Sequence, residues 1–162
     1  MSYPRFDGAA GLYVVEPHHL AAYHGNWYLL AVNPAAGKME TFALSRCREV
    51  GTTGEHFQRS PTFDARAFLR EGFGITRAEK PWRVRLRFSR QVATYVKERV
   101  WHASQQLRER RDGSLEMTLE TSGRKELLRW LLSWMPEVKV LAPCELRARV
   151  VASMKAGLKS QE

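Results

Sequence analysis

A chain of 162 residues with 44% hydrophobic and 27% charged residues can bury a core without disulfides or a metal, and its composition excludes a disordered, collagen-like or disulfide-stapled protein. The net charge of +9 is unevenly placed. Residues 1–76 carry seven basic and seven acidic side chains, so residues 77–162 hold the whole excess and favour a polyanionic partner.

The opening Met1-Ser2-Tyr3-Pro4-Arg5 is followed by no apolar run of the kind a signal peptide needs. No segment approaches the ~20 apolar residues of a membrane span. Cys47 and Cys144 fit reduced thiols better than a staple. The expectation is a cytoplasmic protein that does not meet a membrane.

In chain order, residues 12–15 read as a strand, His24-Gly25-Asn26 as a tight turn, and residues 27–32 as a buried strand. Residues 33–37 make a second turn and residues 40–50 a third strand, so the first part is expected to be a small β-barrel with Trp27, Leu29 and Phe42 in its core. Residues 64–71 form a short amphipathic helix that starts after Thr62 or Asp64 and stops at Gly72. The glycines and Pro81 that follow place a boundary between residues 73 and 80, dividing the chain into 1–76 and 77–162.

The second part starts with Arg83, Arg85 and Arg87 alternating with Val84, Leu86 and Phe88, a strand with one cationic and one apolar face. Residues 89–100 show helical spacing behind Ser89 as a cap. Strands at 107–111 and 115–119 flank the Asp112-Gly113 hairpin signal. A helix at 122–134, a strand at 138–141 and a final helix with Leu146, Val150, Met154 and Leu158 complete the pattern. The order β-α-β-β-α-β is ferredoxin-like, with the last helix as an addition, so the fold class is α+β.

Catalytic motifs are missing. There is no phosphate-binding loop, Arg77 stands where a dinucleotide fingerprint after Gly72-Phe73-Gly74 needs its third glycine, and histidines 18, 19, 24, 56 and 102 have no metal spacing. Cys47 lies in a strand pattern and reads as a buried structural thiol. The expectation is a protein that is not an enzyme and holds no cofactor or metal. A binding surface is more legible. By alternation Tyr28 faces away from Trp27, and His24 and Arg46 are placed to join it, so that His24, Tyr28 and Arg46 could hold a phosphate with the ring free to stack on a base. Replacing Arg46 with alanine is then expected to remove the ligand and leave stability nearly unaltered. Lys38, Arg83, Arg85 and Arg87 form a candidate basic surface.

Trp27-Tyr28-Leu29, together with Val15-Glu16-Pro17, His19-Leu20, Tyr23-His24 and Phe42-x-Leu44-x-Arg46, resembles the WYL domain of bacterial transcriptional regulators. The second part is similar to the C-terminal extension of that family, through Val84-x-Leu86-x-Phe88, Trp101-His102-x-Ser104-Gln105, Asp112-Gly113-Ser114-Leu115 and Leu141-Ala142-Pro143-x-Glu145-Leu146-Arg147. The resemblance implies an Sm-like or SH3-like barrel that senses a ligand, single-stranded nucleic acid in some members, followed by a ferredoxin-like extension that takes part in a homodimer. It also implies that double-stranded DNA is reached only through the family's N-terminal helix-turn-helix, which this chain, starting at the first barrel strand, is expected to lack. Two arginines that often flank the phenylalanine in the family stand here as Glu40 and Ala43, with Lys38 placed to compensate.

The reading is an effector-sensing and dimerisation region that binds an anionic or nucleic-acid-like ligand, a nucleotide-like effector included. Trp130 and Trp134 on two faces of the helix at 122–134 mark the expected dimer surface. The alternatives are a module that binds nucleic acid directly through the basic half, and an assembly module without a ligand.

Overall fold

The computed structural model describes residues 1–4, 10–75 and 80–161. Arg5, Arg77 and the expected boundary between residues 76 and 77 lie outside the described residues. The architecture is mixed α and β, with antiparallel sheets and, among the described residues, four α-helices. No helix is long and apolar enough to cross a membrane. The chain divides into two compact units, Met1–Arg66 and Ala67–Glu162.

In the first unit β1 (Ser2–Pro4) pairs with β2 (Ala10–Leu12), and β3 (Glu16–Tyr23), β4 (Asn26–Asn33) and β5 (Lys38–Ala43) form an antiparallel meander. His24 and Gly25 both have positive φ, 47° and 75°, the two-residue turn that suits the twist of a hairpin. The hydrophobic cluster joins Tyr3, Ala31 and Phe42, with Tyr13, Val15 and Leu29 packed on it. Its rings meet edge to face, Tyr3–Phe42 at 5.3 Å and Tyr13–Phe42 at 5.6 Å. Leu30 points the other way from the partly buried Leu29 and is itself fully buried, so both faces of β4 are covered there.

Several expectations for this unit change. The strand expected at residues 12–15 ends at Leu12, although Tyr13 and Val15 still pack on the cluster. Strand β3 was not expected, because a bulge between Pro17 and His19 breaks its period of two. The third strand stops at Ala43, where a 3-10 turn (Leu44–Arg46) redirects the chain so that Ser2 N donates to Glu49 O at 2.8 Å. Trp27 is no core residue. Paired with Ala22 beside the hairpin tip, it is 57% exposed. Cys47 is half-buried, its Sγ 3.9 Å from Met1 Sδ.

In the second unit β6 (Trp82–Phe88), α2 (Ala93–Lys97), β7 (Gln106–Glu109), β8 (Leu115–Thr121), α3 (Arg124–Ser133), β9 (Val138–Ala142) and α4 (Cys144–Lys159) follow α1 (Ala65–Glu71). The sheet runs β7-β8-β6-β9 with every pair antiparallel. Alternation sends Val84, Leu86, Phe88, Leu115, Met117 and Leu119 to one face, which Val96, Leu127, Leu131, Leu146 and Val150 of the helices bury. Phe88 meets the rings of Trp130 at 5.7 Å and Trp134 at 5.9 Å, and Phe73 meets Trp130 at 4.9 Å. Trp130 and Trp134 are therefore both partly buried against the aromatic core rather than carried on open faces of the helix.

Segment 67–75, assigned from sequence to the first part, packs with the second unit. Phe73 is 7% exposed in that core, and the Glu71 carbonyl accepts from Ser122 N at 3.1 Å, Ser122 Oγ at 3.2 Å and Thr121 Oγ1 at 3.3 Å. Helix α2 spans five residues and not the expected twelve-residue stretch. The Ser89 hydroxyl bonds the Glu137 carboxylate and does not cap the helix, and Tyr95 and Val100 stay exposed. The Asp112-Gly113 turn is wider than two residues. Arg110 N donates to Ser114 O across it, and Asp112 Oδ1 accepts from both Ser114 N and Oγ. In α4 only Leu146 and Val150 are buried, because sixteen residues (about 24 Å) outrun the five-residue strand β9 beneath them and leave Met154 and Leu158 exposed.

His102 is buried, with Nδ1 2.8 Å from Ser104 Oγ and its ring stacked on Phe73. Burial holds its imidazole below the usual value, and the carbonyls of Gly72 and Glu71 offset only part of that. A folded-state value below the unfolded one means that the neutral ring stabilises the fold above pH ~6.5, and that this stabilisation fades as the pH falls further. The midpoint of thermal unfolding should therefore drop between pH 7 and about 5, and more steeply than in His102→Gln.

Candidate ligand-binding surfaces

Two surfaces carry the candidate residues, one in each unit. In the first, register places Tyr28 opposite Ala21 on one side and Ala43 on the other, on the face of the sheet away from Phe42. Tyr28 is half-buried and its hydroxyl has no hydrogen-bond partner among the described residues. His24 is exposed at the β3–β4 tip, with its ring 4.2 Å from that of Tyr23. Arg46 lies on the turn after β5 and not on a third strand. Its Nη2 donates to Pro4 O at 2.8 Å and its guanidinium sits 4.7 Å above the Tyr3 ring. No bond or ring contact joins His24, Tyr28 and Arg46 among the described residues.

The contacts of Arg46 change one expectation. An exposed cation–π pair contributes about 0.5–1 kcal/mol, so Arg46→Ala is no longer expected to leave stability unaltered. The two charges that set this sequence apart also lie elsewhere. Glu40 shares the face of Ala31, accepts from Asn33 Nδ2 at 2.7 Å, and has Lys38 Nζ at 3.9 Å. The carboxylate therefore lies on the opposite side of the sheet from Tyr28, and Lys38 is its partner.

In the second unit Arg83 and Arg85 are exposed on the solvent face of β6, and Arg87 is bound to Glu116 at 2.6 Å. Arg87 first, then Arg110 and Arg85, hold the Glu116 carboxyl below its usual range, against an opposing effect of burial. Sequence reasoning missed Arg108 and Lys139, which share this face. Only strand pairing shows that Arg108 stands opposite Glu116 and Lys139 opposite Arg87. No group of His, Cys, Asp and Glu among the described residues could hold a metal ion.

Comparison with known families fits this division. Residues 1–51 match the WYL domain and residues 80–158 match the WCX domain. The chain carries a WYL domain followed by a WCX domain. Among solved structures it is similar to proteasome accessory factor B/C (PafBC) of Arthrobacter aurescens, with 26% identity and a TM-score of 0.41 over 96% of this chain and 24% of that one. This chain thus spans about a quarter of that protein's length. No curated protein matches it. The WYL match includes His24, Tyr28 and Arg46, and the WCX match includes the cationic face of β6.

Proposed function

We propose that this chain is the effector-sensing and dimerising region of a transcriptional regulator, with an anionic or nucleic-acid-like ligand bound by the WYL domain. The observation that carries the reading is the ordered pair of domain matches, WYL then WCX. The unbonded Tyr28 hydroxyl beside the exposed His24 turn supports a polar ligand on that face, and Arg46, which would leave Pro4 O and Tyr3 to reach it, is the cation of this reading. The meander β3-β4-β5, with β1 and β2 packed through Tyr3, fits a small Sm-like or SH3-like barrel. The order β-α-β-β-α-β and the sheet order β7-β8-β6-β9 fit a ferredoxin-like WCX domain with α4 added.

The mechanism is linkage without chemistry, in the cytoplasm. A ligand that binds two arrangements of a homodimer unequally shifts their populations, and an attached DNA-binding domain reports the shift. The apolar surface for that homodimer is the free end of α4, where Val151, Met154 and Leu158 recur at helical spacing and are 45%, 45% and 69% exposed.

Titration calorimetry with a 5′-phosphorylated dinucleotide tests the sensing step. A hydrogen bond to a charged group contributes about 1.5–3 kcal/mol, so Arg46→Ala should weaken binding at least tenfold. Equal affinity in the variant would remove Arg46 from the site.

A further inference from the structure

The solvent side of the WCX sheet is mostly charged. The outward positions of β6, β7 and β8 are Arg83, Arg85, Arg87, Gln106, Arg108, Glu116, Thr118 and Glu120, with no apolar side chain among them. Strand pairing arranges them in rows. Arg108, Glu116, Arg87 and Lys139 lie side by side across about 14 Å, and Gln106, Thr118, Arg85 and Ala142 form the next row. Glu116 is the one carboxylate of the first row, and Arg87 and Arg110 hold it at 2.6 and 3.8 Å. Arg85, Arg108 and Lys139 have no ion-pair partner among the described residues. At the β7–β8 turn Arg108, Arg110 and Arg111 line a recess of about 420 Å³ with Glu109 and Asp112. Those two acids are engaged elsewhere, Glu109 by Lys97 and Asp112 by Ser114.

We propose that this face binds the backbone of single-stranded nucleic acid, at a site separate from the WYL ligand. Alternate residues of a strand are about 6.8 Å apart, comparable to successive phosphates of an extended single strand. Guanidinium groups bind phosphate in a bidentate fork and also lie flat against unstacked bases, and Arg83 and Arg85 offer both along one line, while Arg87 is held by Glu116. Gln106 and Thr118, beside Arg85, add neutral hydrogen-bonding groups within reach of base edges. A duplex curves away from a flat sheet, so only one of its backbones reaches these rows. A lipid surface finds no apolar side chain on β6–β8 to insert.

The test is fluorescence anisotropy of a labelled oligothymidylate with the full chain at several salt concentrations. The variant Arg85→Ala/Arg108→Ala/Lys139→Ala should lose at least about tenfold in affinity at low salt, and its log–log salt slope should fall by about two, as three lost contacts to a single strand imply. Glu120→Gln, at an exposed carboxylate, should tighten binding about twofold, a gain that misfolding does not produce. Arg59→Ala, at an exposed cation outside both surfaces, should leave this binding unchanged. The proposal is overturned if the wild type does not bind, if the triple variant keeps the wild-type slope, or if Arg46→Ala abolishes the binding. Tighter binding to a duplex or to anionic vesicles than to the single strand would overturn it as well.

Discussion

Phe88→Ala should cost the second unit about 3–5 kcal/mol, the range for truncating a buried aromatic side chain. Phe88 is fully buried at the end of β6, where it pairs with Leu115 and Val138 on either side and meets Trp130 and Trp134 edge to face. Its loss leaves a cavity beneath two indole rings that are fixed by Phe73 and Trp101 and cannot simply move in. Domains of this size are stable by about 5–15 kcal/mol, so the variant should lose a large share of that margin. Urea unfolding followed by tryptophan fluorescence checks it, since Trp101, Trp130 and Trp134 all report on this core. A cost below about 1 kcal/mol would mean that the aromatic cluster is not closed around Phe88.

Gly123→Ala should be nearly as damaging, for a different reason. Gly123 precedes α3 with an ordinary φ of −78°, so backbone freedom is not what the position requires. What matters is close approach. A Cβ there would overlap the backbone nitrogen of Phe73 and lie 2.8 Å from its Cα and 3.0 Å from its Cβ. The Phe73 segment is itself fastened by the three donors on the Glu71 carbonyl. Relief therefore means shifting backbone on one side or the other, at about 3 kcal/mol, the upper range for overpacking. At an uncrowded helix start the same change costs about 1 kcal/mol, because alanine is a poorer N-cap than glycine. Denaturation midpoints of the variant separate the two cases, and a cost of about 1 kcal/mol or less would show that the close contact is absent.

How much of this was legible in the sequence differs between the units. Strand β6 was plain, because apolar and cationic residues alternate without interruption from Trp82 to Phe88. The element order of the second unit followed from similar local patterns, and the Asp112-Gly113 signal located its hairpin. Contacts between distant residues were not legible. The ring contact of Tyr3 with Phe42 spans 39 positions, and nothing near Trp130 reveals that Phe73 and Phe88 cover it.

The first unit hid more. The bulge in β3 put Pro17, His18 and His19 out of alternation, and His18 is buried between Phe57 at 5.4 Å and Phe63 at 5.2 Å rather than held at a surface. The candidate ligand residues were visible as residue types, since Trp27-Tyr28-Leu29 carries the family resemblance. The direction of Arg46 was not. It depends on the turn at Leu44–Arg46 and on a carbonyl forty-two residues earlier, at Pro4. The basic surface was half visible, because period two reveals Arg83, Arg85 and Arg87, while Arg108 and Lys139 join them only through pairing.

The most direct test of the sensing role is to map amide chemical shifts of the isotope-labelled chain during titration with a 5′-phosphorylated dinucleotide. The account predicts saturable shifts that are largest around His24, Tyr28 and Arg46, and that disappear in Arg46→Ala. No shifts at millimolar ligand (the order of the weakest specific binding), or shifts confined to β6–β8 of the WCX sheet, would contradict a ligand site on the WYL domain.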